Sequence, residues 1–112
     1  MDTCGTDANL NETGFYCDNA ATVQPVAPKT PNIWGLYDIS GNVYEMCRDW
    51  YGPYPSGAAT DPTGLPYGAS RVRRGGDCIG YPKHLRSAFR GYAYPAGSHL
   101  FFYTGFRLMR QF

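Results

Sequence analysis

Asn32-Ile-Trp-Gly-Leu-Tyr-Asp-Ile-Ser-Gly-Asn-Val-Tyr-Glu-Met-Cys-Arg-Asp-Trp-Tyr51 is the stretch on which the reading of this chain turns. Its first half is a tight turn: Gly35 and Gly41 bracket Asp38 and Ser40, whose short polar side chains can hydrogen-bond their own backbone. Its second half alternates, with Val43, Glu45, Cys47 and Asp49 set against Tyr44, Met46, Arg48 and Trp50. That period of two predicts a strand from Asn42 to Tyr51, and this is the expected central strand. Trp34 and Trp50 are expected in the core.

Upstream, residues 1–31 are polar and rich in turn formers, and prolines stand at 25, 28 and 31. Pro has no amide hydrogen to give a helix or ladder, so an extended, wrapped segment is expected there. Downstream, Gly52-Pro-Tyr-Pro-Ser-Gly57 and Asp61-Pro-Thr-Gly-Leu-Pro66 are strings of turn signals and predict a long surface excursion. Ser70-Arg-Val-Arg-Arg-Gly-Gly76 predicts the next strand, ending where two glycines permit close backbone approach. Leu85-Arg-Ser-Ala-Phe-Arg90 is expected as a third short element, and Gly105-Phe-Arg-Leu-Met109 as the last strand.

The chain has 112 residues, with 14 Gly, 9 Pro, 10 Tyr and only 17% charged residues. That balance points to a single loop-rich domain with little helix, burying about two-thirds of the surface its unfolded chain exposes. Ten basic residues offset nine acidic ones, for a net charge of +1, and no basic run occurs. Nucleic acid is therefore not an expected partner. Arg71, Arg73 and Arg74 form the tightest basic group and are expected to pair with carboxylates such as Asp49 or Asp61. No stretch is apolar enough to span a membrane, and the polar start has no signal-peptide character. If the protein is exported, its signal lies outside this sequence.

Cys4, Cys17, Cys47 and Cys78 allow three complete pairings, and spacing alone does not choose among them. Cys4 with Cys17 is the pairing expected, because closing a loop of that kind stabilises a small domain by about 3 kcal/mol in an oxidising compartment. No cysteine or histidine stands at a zinc-type spacing.

Gly35-Leu-Tyr-Asp-x-x-Gly-Asn-Val-x-Glu45, followed in order by Arg74-Gly-Gly76 and Gly105-Phe-Arg107, resembles the C-terminal half of the formylglycine-generating-enzyme (sulfatase-modifying-factor) domain. The resemblance runs from about residue 15 to about residue 110. It implies an α+β, strand- and loop-rich, C-type-lectin-like fold with little helix, in one domain over residues 1–112 that lacks the family's N-terminal part. It also implies a structural calcium held by the side chains of Asp38 and Glu45 and the carbonyls of Ile39, Gly41 and Val43, the oxygen set a hard cation takes. The alternative is that Asp38 caps a turn and Glu45 pairs with Arg71 or Arg73.

The copper-dependent enzymes of that family use two active-site cysteines after the Gly-Gly pair, soft ligands that select Cu(I). Only Cys78 follows Gly76 here. Copper and catalysis are therefore not expected, and the second reading is a formylglycine-generating oxidoreductase with Cys78 as nucleophile. No triad or carboxylate pair offers other chemistry.

The C-terminal third resembles the variable proteins of diversity-generating retroelements, which present a changeable surface on this scaffold. The matching region is 77–104, and the residues expected to meet a ligand are Asp77, Ile79, Tyr81, His84, Tyr92, Tyr94, Ser98, His99, Phe101 and Phe102. Between Gly91 and Thr104 there are five aromatic residues and no charge. Tyr gives large amphipathic contacts at low entropic cost, and Ser, Gly and His give adaptable polar ones. The competing reading places Leu100, Phe101 and Phe102 in a core strand, with Tyr92 and Tyr94 packed toward the tryptophans. Arg86, Arg90 and Arg107 are expected to hold strands together through buried salt bridges. The resulting expectation is a binding module for a protein or other surface ligand, at a cell, extracellular or virion surface.

Overall fold

The computed structural model describes residues 3–93 and 103–110. A one-and-a-half-turn helix α1 (Ala8–Thr13) leads into β1 (Gly14–Phe15), which pairs in parallel with β2 (Ser40–Gly41). The second sheet has the order β5-β4-β3-β6, built from β3 (Tyr44–Trp50), β4 (Arg71–Arg74), β5 (Gly91–Tyr92) and β6 (Thr104–Gly105). β3 is central, as its alternation predicts: Glu45, Cys47 and Asp49 are half-buried while Met46 and Arg48 are exposed. β4 runs antiparallel to it, with Glu45 opposite Arg74 and Met46 opposite Arg73, and β6 runs parallel to it.

α1 was not legible amid the turn formers. Its cause is local: Asp7 is an N-cap whose Oδ1 accepts from the amides of Asn9 and Leu10, both at 3.0 Å, satisfying two otherwise unpaired donors. The proline segment is the wrapped strap expected. Thr30 N donates to Glu12 O, and Ala27 N donates to Asp38 Oδ2 at 2.7 Å.

Asn42 joins four parts of the chain. Its left-handed backbone (φ 65°) is one that Asn tolerates better than most residues. Its side chain is a two-way bridge to the strap, Oδ1 accepting from Gln24 N at 2.8 Å and Nδ2 donating to Gln24 O at 3.0 Å. Its backbone amide donates to Phe15 O, and its carbonyl accepts from Cys78 N. The neighbouring Gly41 has no room for a side chain, because a Cβ there would lie 2.0 Å from Phe15 O.

Among the described residues the buried apolar side chains are Tyr16, Tyr44, Val72, Cys78, Leu85 and Ala93. Trp34 is not among them. It is 77% exposed, because Asn32 Oδ1 accepts from the amides of Trp34 and Leu36 and closes a turn that projects the ring outward. Trp50 is half-buried, beneath the Arg71 guanidinium at 3.6 Å from its ring centre. Arg73 lies 4.1 Å over the Tyr44 ring. Arg71 and Arg73 thus stack on β3 aromatics and, among the described residues, do not take the carboxylate partners expected; Arg71 also donates to Arg48 O. A flat guanidinium suits a ring face better than an ammonium does.

The third short element is not regular over its length, and the last strand is shorter than expected. Pro82–Leu85 is a 3-10 turn, opened by the fixed φ of Pro82, and residues 86–90 are irregular. Their carbonyls find a side chain in place of a ladder, with Arg74 Nη1 donating to Ser87 O and Phe89 O. The last strand ends at Gly105, and residues 106–110 continue without a sheet partner.

Candidate functional site

Residues 77–93 form a segment whose anchors point in and whose large side chains point out. Asp77, Cys78, Gly80, Leu85, Gly91 and Ala93 are buried. Ile79, Tyr81 and Tyr92 are 48%, 38% and 49% exposed. Gly76 fixes the entry: it has φ +76° and a Cβ there would sit 2.6 Å from Leu85 Cδ1, so the chain must pass close over the 3-10 turn.

Asp77 departs from the surface role expected of it. It is 8% exposed, its Oδ1 accepts from Ile79 N at 3.3 Å, and its carbonyl accepts from Gly80 N, so it closes the turn that presents Ile79. Burial raises its carboxyl pKa above the ordinary range, against the lowering effect of the Ile79 amide and Arg73. His84 is half-buried and stacked, with its ring 5.7 Å from Tyr81 and 4.8 Å from Phe89. Tyr92, on β5, packs edge-on against Tyr51 at 5.6 Å. The structure thus places Asp77 and Ile79 in one turn, Tyr81 and His84 on the 3-10 turn that follows it, and Tyr92 on the β5 strand. Tyr94, Ser98, His99, Phe101 and Phe102 lie outside the described residues.

A second centre gathers around Arg107. Its guanidinium grips Glu45 through Nε (3.0 and 3.1 Å) and Nη2 (2.6 Å), and Nη2 also donates to the carbonyls of Tyr37 at 2.8 Å and Asp38 at 3.2 Å. Arg107 does tie elements together as expected, but with 35% of its side chain exposed the bridge is not a buried one. Glu45 takes this partner and neither Arg71 nor Arg73. Arg90 makes no salt bridge among the described residues; it donates to Gly52 O at 2.7 Å and lies over Tyr54 at 3.8 Å. Arg86 is exposed.

Four of the five expected calcium ligands, Asp38, Gly41, Val43 and Glu45, border one cavity of about 260 Å³ together with Arg107. Ile39 is not on its wall. Asp38 Oδ1 is buried without a hydrogen-bond partner among the described residues, an unsatisfied acceptor of the kind a hard cation would complete. The donors are all oxygens and fit calcium in kind. Among the described residues, no cluster of three or more His, Cys, Asp or Glu forms a metal centre.

Cys4 and Cys17 are joined by a disulfide, the pairing expected, and Cys47 and Cys78 are free. Burial raises the pKa of both free thiols, with nearby Asp49 adding to the effect at Cys47 and Asp77 at Cys78. Such thiols are poor nucleophiles at neutral pH. Sequence reasoning missed the bridging role of Asn42 and the aromatic partners Tyr51 and Phe89. The signal for Asn42 was its place between Gly41 and the strand.

Comparison with known proteins carries the resemblance further. The family described as the sulfatase-modifying factor enzyme 1-like domain matches residues 4–112. Serine/threonine-protein kinase pkn1 of Chlamydia pneumoniae is 36% identical over 91 residues, covering 78% of this chain and 14% of the kinase. The formylglycine-generating enzyme of Streptomyces coelicolor is 41% identical over 64 residues, covering 55% of this chain and 20% of the enzyme. Among solved structures, Treponema denticola variable protein 1 superposes with a TM-score of 0.78 at 35% identity, covering 90% of this chain and 37% of that one. This chain therefore spans well under half the length of each. The strand- and loop-rich architecture with little helix is the C-type-lectin-like fold expected. With the match running from Cys4 to Phe112, the chain belongs to the sulfatase-modifying factor enzyme 1-like family, in a form that resembles the variable proteins of diversity-generating retroelements.

Proposed function

We propose that this chain is a non-catalytic recognition module that binds a protein or other surface ligand through the region 77–104. The observation that carries the reading is the division within 77–93, where small and turn-closing residues are buried while Ile79, Tyr81 and Tyr92 stand exposed. Exposed aromatic side chains on a fixed backbone are the usual anchors of binding hot spots. The likeness to a variable protein supports the same reading. Oxidation of a peptide cysteine at Cys78 is disfavoured, because its side chain is 0% exposed and its thiol pKa is raised. An extracellular or virion-surface setting suits the Cys4–Cys17 disulfide.

A display library randomised at the exposed positions Ile79, Tyr81 and Tyr92 tests this. Most members should unfold within a few degrees of the parent, since surface substitutions stay within about 0.5 kcal/mol. Binders to unrelated proteins should be selectable, and in those that retain Tyr92, Tyr92→Ala should weaken binding about tenfold, or about 1.4 kcal/mol. A general collapse of stability across the library would assign these side chains to the core and end the proposal.

Calcium, if bound, would be held by Asp38 and Glu45 with the carbonyls of Gly41 and Val43, and would neutralise the charge that Arg107 leaves uncompensated. Calcium should then raise the melting temperature by a few degrees over a chelated sample, as any ligand selective for the folded state does. Asp38→Ala should abolish the response. An equal response in that variant would remove the site.

A further inference from the structure

We infer that the surface excursion after β3 encloses a site for a small zwitterion, a free α-amino acid or dipeptide whose ammonium meets Asp49 and whose carboxylate meets Arg90. Long irregular stretches are uncommon in a compact domain unless they are functional. Residues 52–66 are such a stretch, and recognition through 77–104 gives them nothing to do. They close back on β3 around a cavity of about 430 Å³, inside the size range of small-molecule sites.

The walls are set before any ligand arrives. Gly64, at φ +86°, lies so close to β3 that a Cβ would sit 2.7 Å from Asp49 Cβ. Leu65 pairs with Trp50 in a single antiparallel bridge. At the start of the excursion, Gly52 O accepts from Arg90 Nη2 at 2.7 Å. The segment is thus fastened at both of its ends, and little ordering is left to oppose binding.

Much of the lining is apolar or aromatic, supplied by Trp50, Pro53, Tyr54, Pro55, Pro62 and Leu65. Two groups of opposite charge border the same cavity, Asp49 and Arg90. Both are half-buried, and neither makes a salt bridge among the described residues. The Arg90 guanidinium lies 3.8 Å over the Tyr54 ring, which orients its plane. Its bond to Gly52 O uses one N–H and leaves others in a planar fork that suits a carboxylate. A ligand bearing only a cation would be opposed by Arg90, and one bearing only an anion by Asp49. A molecule with both charges and an apolar body matches the two groups and the wall between them. Arg90 alone among the wall residues falls within 77–104, and it is not one of the residues expected to meet the recognition ligand. The two surfaces can therefore be tested separately.

The test titrates the isotope-labelled 112-residue chain with leucine and with leucyl-leucine. Its two tryptophans give two indole N–H signals in the NMR spectrum, and Trp50 borders the cavity while Trp34 does not. At least one probe should shift the Trp50 signal and leave that of Trp34 in place, with a dissociation constant of about 1 mM or below. The N-acetylated form of that probe, which lacks the ammonium, and its amide, which lacks the carboxylate, should each bind about tenfold more weakly or worse. Asp49→Asn should weaken the zwitterion about tenfold and leave the N-acetylated form unchanged. Arg90 also holds Gly52 O, so Ala59→Phe, at an exposed wall position, is the variant that fills the cavity with both charges in place. It should abolish the shift without lowering the melting temperature. The inference is overturned if neither probe moves the Trp50 signal, if the blocked forms bind as tightly as the zwitterion, or if Asp49→Asn or Ala59→Phe leaves binding unchanged.

Discussion

Replacing Cys4 and Cys17 by serine is expected to cost the domain about 3 kcal/mol, the chain-entropy value for a closed loop of this length. The two residues are 13 apart, and the bridge encloses α1 and β1. What it holds is more than a terminus. Tyr16, next to Cys17, is fully buried, and its hydroxyl accepts from Asp7 N at 2.8 Å. Cys17 N donates to Gly80 O, inside the recognition segment. At this size a loss of that order should lower the melting temperature by roughly 10 °C or more. Calorimetry of the double variant, and of the parent in dithiothreitol, should agree, because Cys47 and Cys78 are free in either case. A fall of under about 2 °C would show that the helix and β1 contribute little to the cooperative unit.

Arg107→Ala should be the next most damaging change, at about 2–3 kcal/mol. Hydrogen bonds to charged groups contribute about 1.5–3 kcal/mol each, and the guanidinium makes several, but the side chains are 35% and 26% exposed, so solvent screening reduces the sum. Removal also leaves Glu45 near Asp38 with no cation between them. Arg107→Lys should recover only part of the loss, since an ammonium cannot span the carboxylate and two carbonyls with a planar fork. The Glu45 hydrogen bond raises the Arg107 pKa, with burial opposing it. A raised basic pKa gives stability that is present below the unfolded value and lost above the folded one. The contribution should therefore hold through the neutral range and fade only in strong alkali. Denaturant titrations of the three proteins at neutral pH check the order, and equal stability of the alanine and parent chains would contradict it.

Much of this was written in the sequence. The turn from Gly35 to Gly41 and the alternation of β3 survive because local chemistry and tertiary burial demand the same conformation there. The disulfide loop is also local. Trp34 and residues 105–109 were misread for a shared reason: apolar character predicts burial only when something is present to do the burying, and that depends on long-range neighbours. The β4 arginines were given carboxylates because charge is easy to see in a sequence, whereas a ring on the paired strand is not. Asp77 looked like a surface acid, yet a turn that needs an acceptor draws it inward. Along 77–93, the exposed positions Ile79, Tyr81 and Tyr92 could be proposed in advance because the resemblance to variable proteins implies that 77–104 is the changeable region.

Asn42 gives the chain one more property. The strap, the first strand, the central strand and the start of the recognition segment all take their position from a single buried amide and its backbone. Where alignment is concentrated in one residue, the stretches on either side carry little positional information of their own. Their side chains can be exchanged over generations with little disturbance to the frame, because the bonds that Asn42 makes to them run to backbone groups.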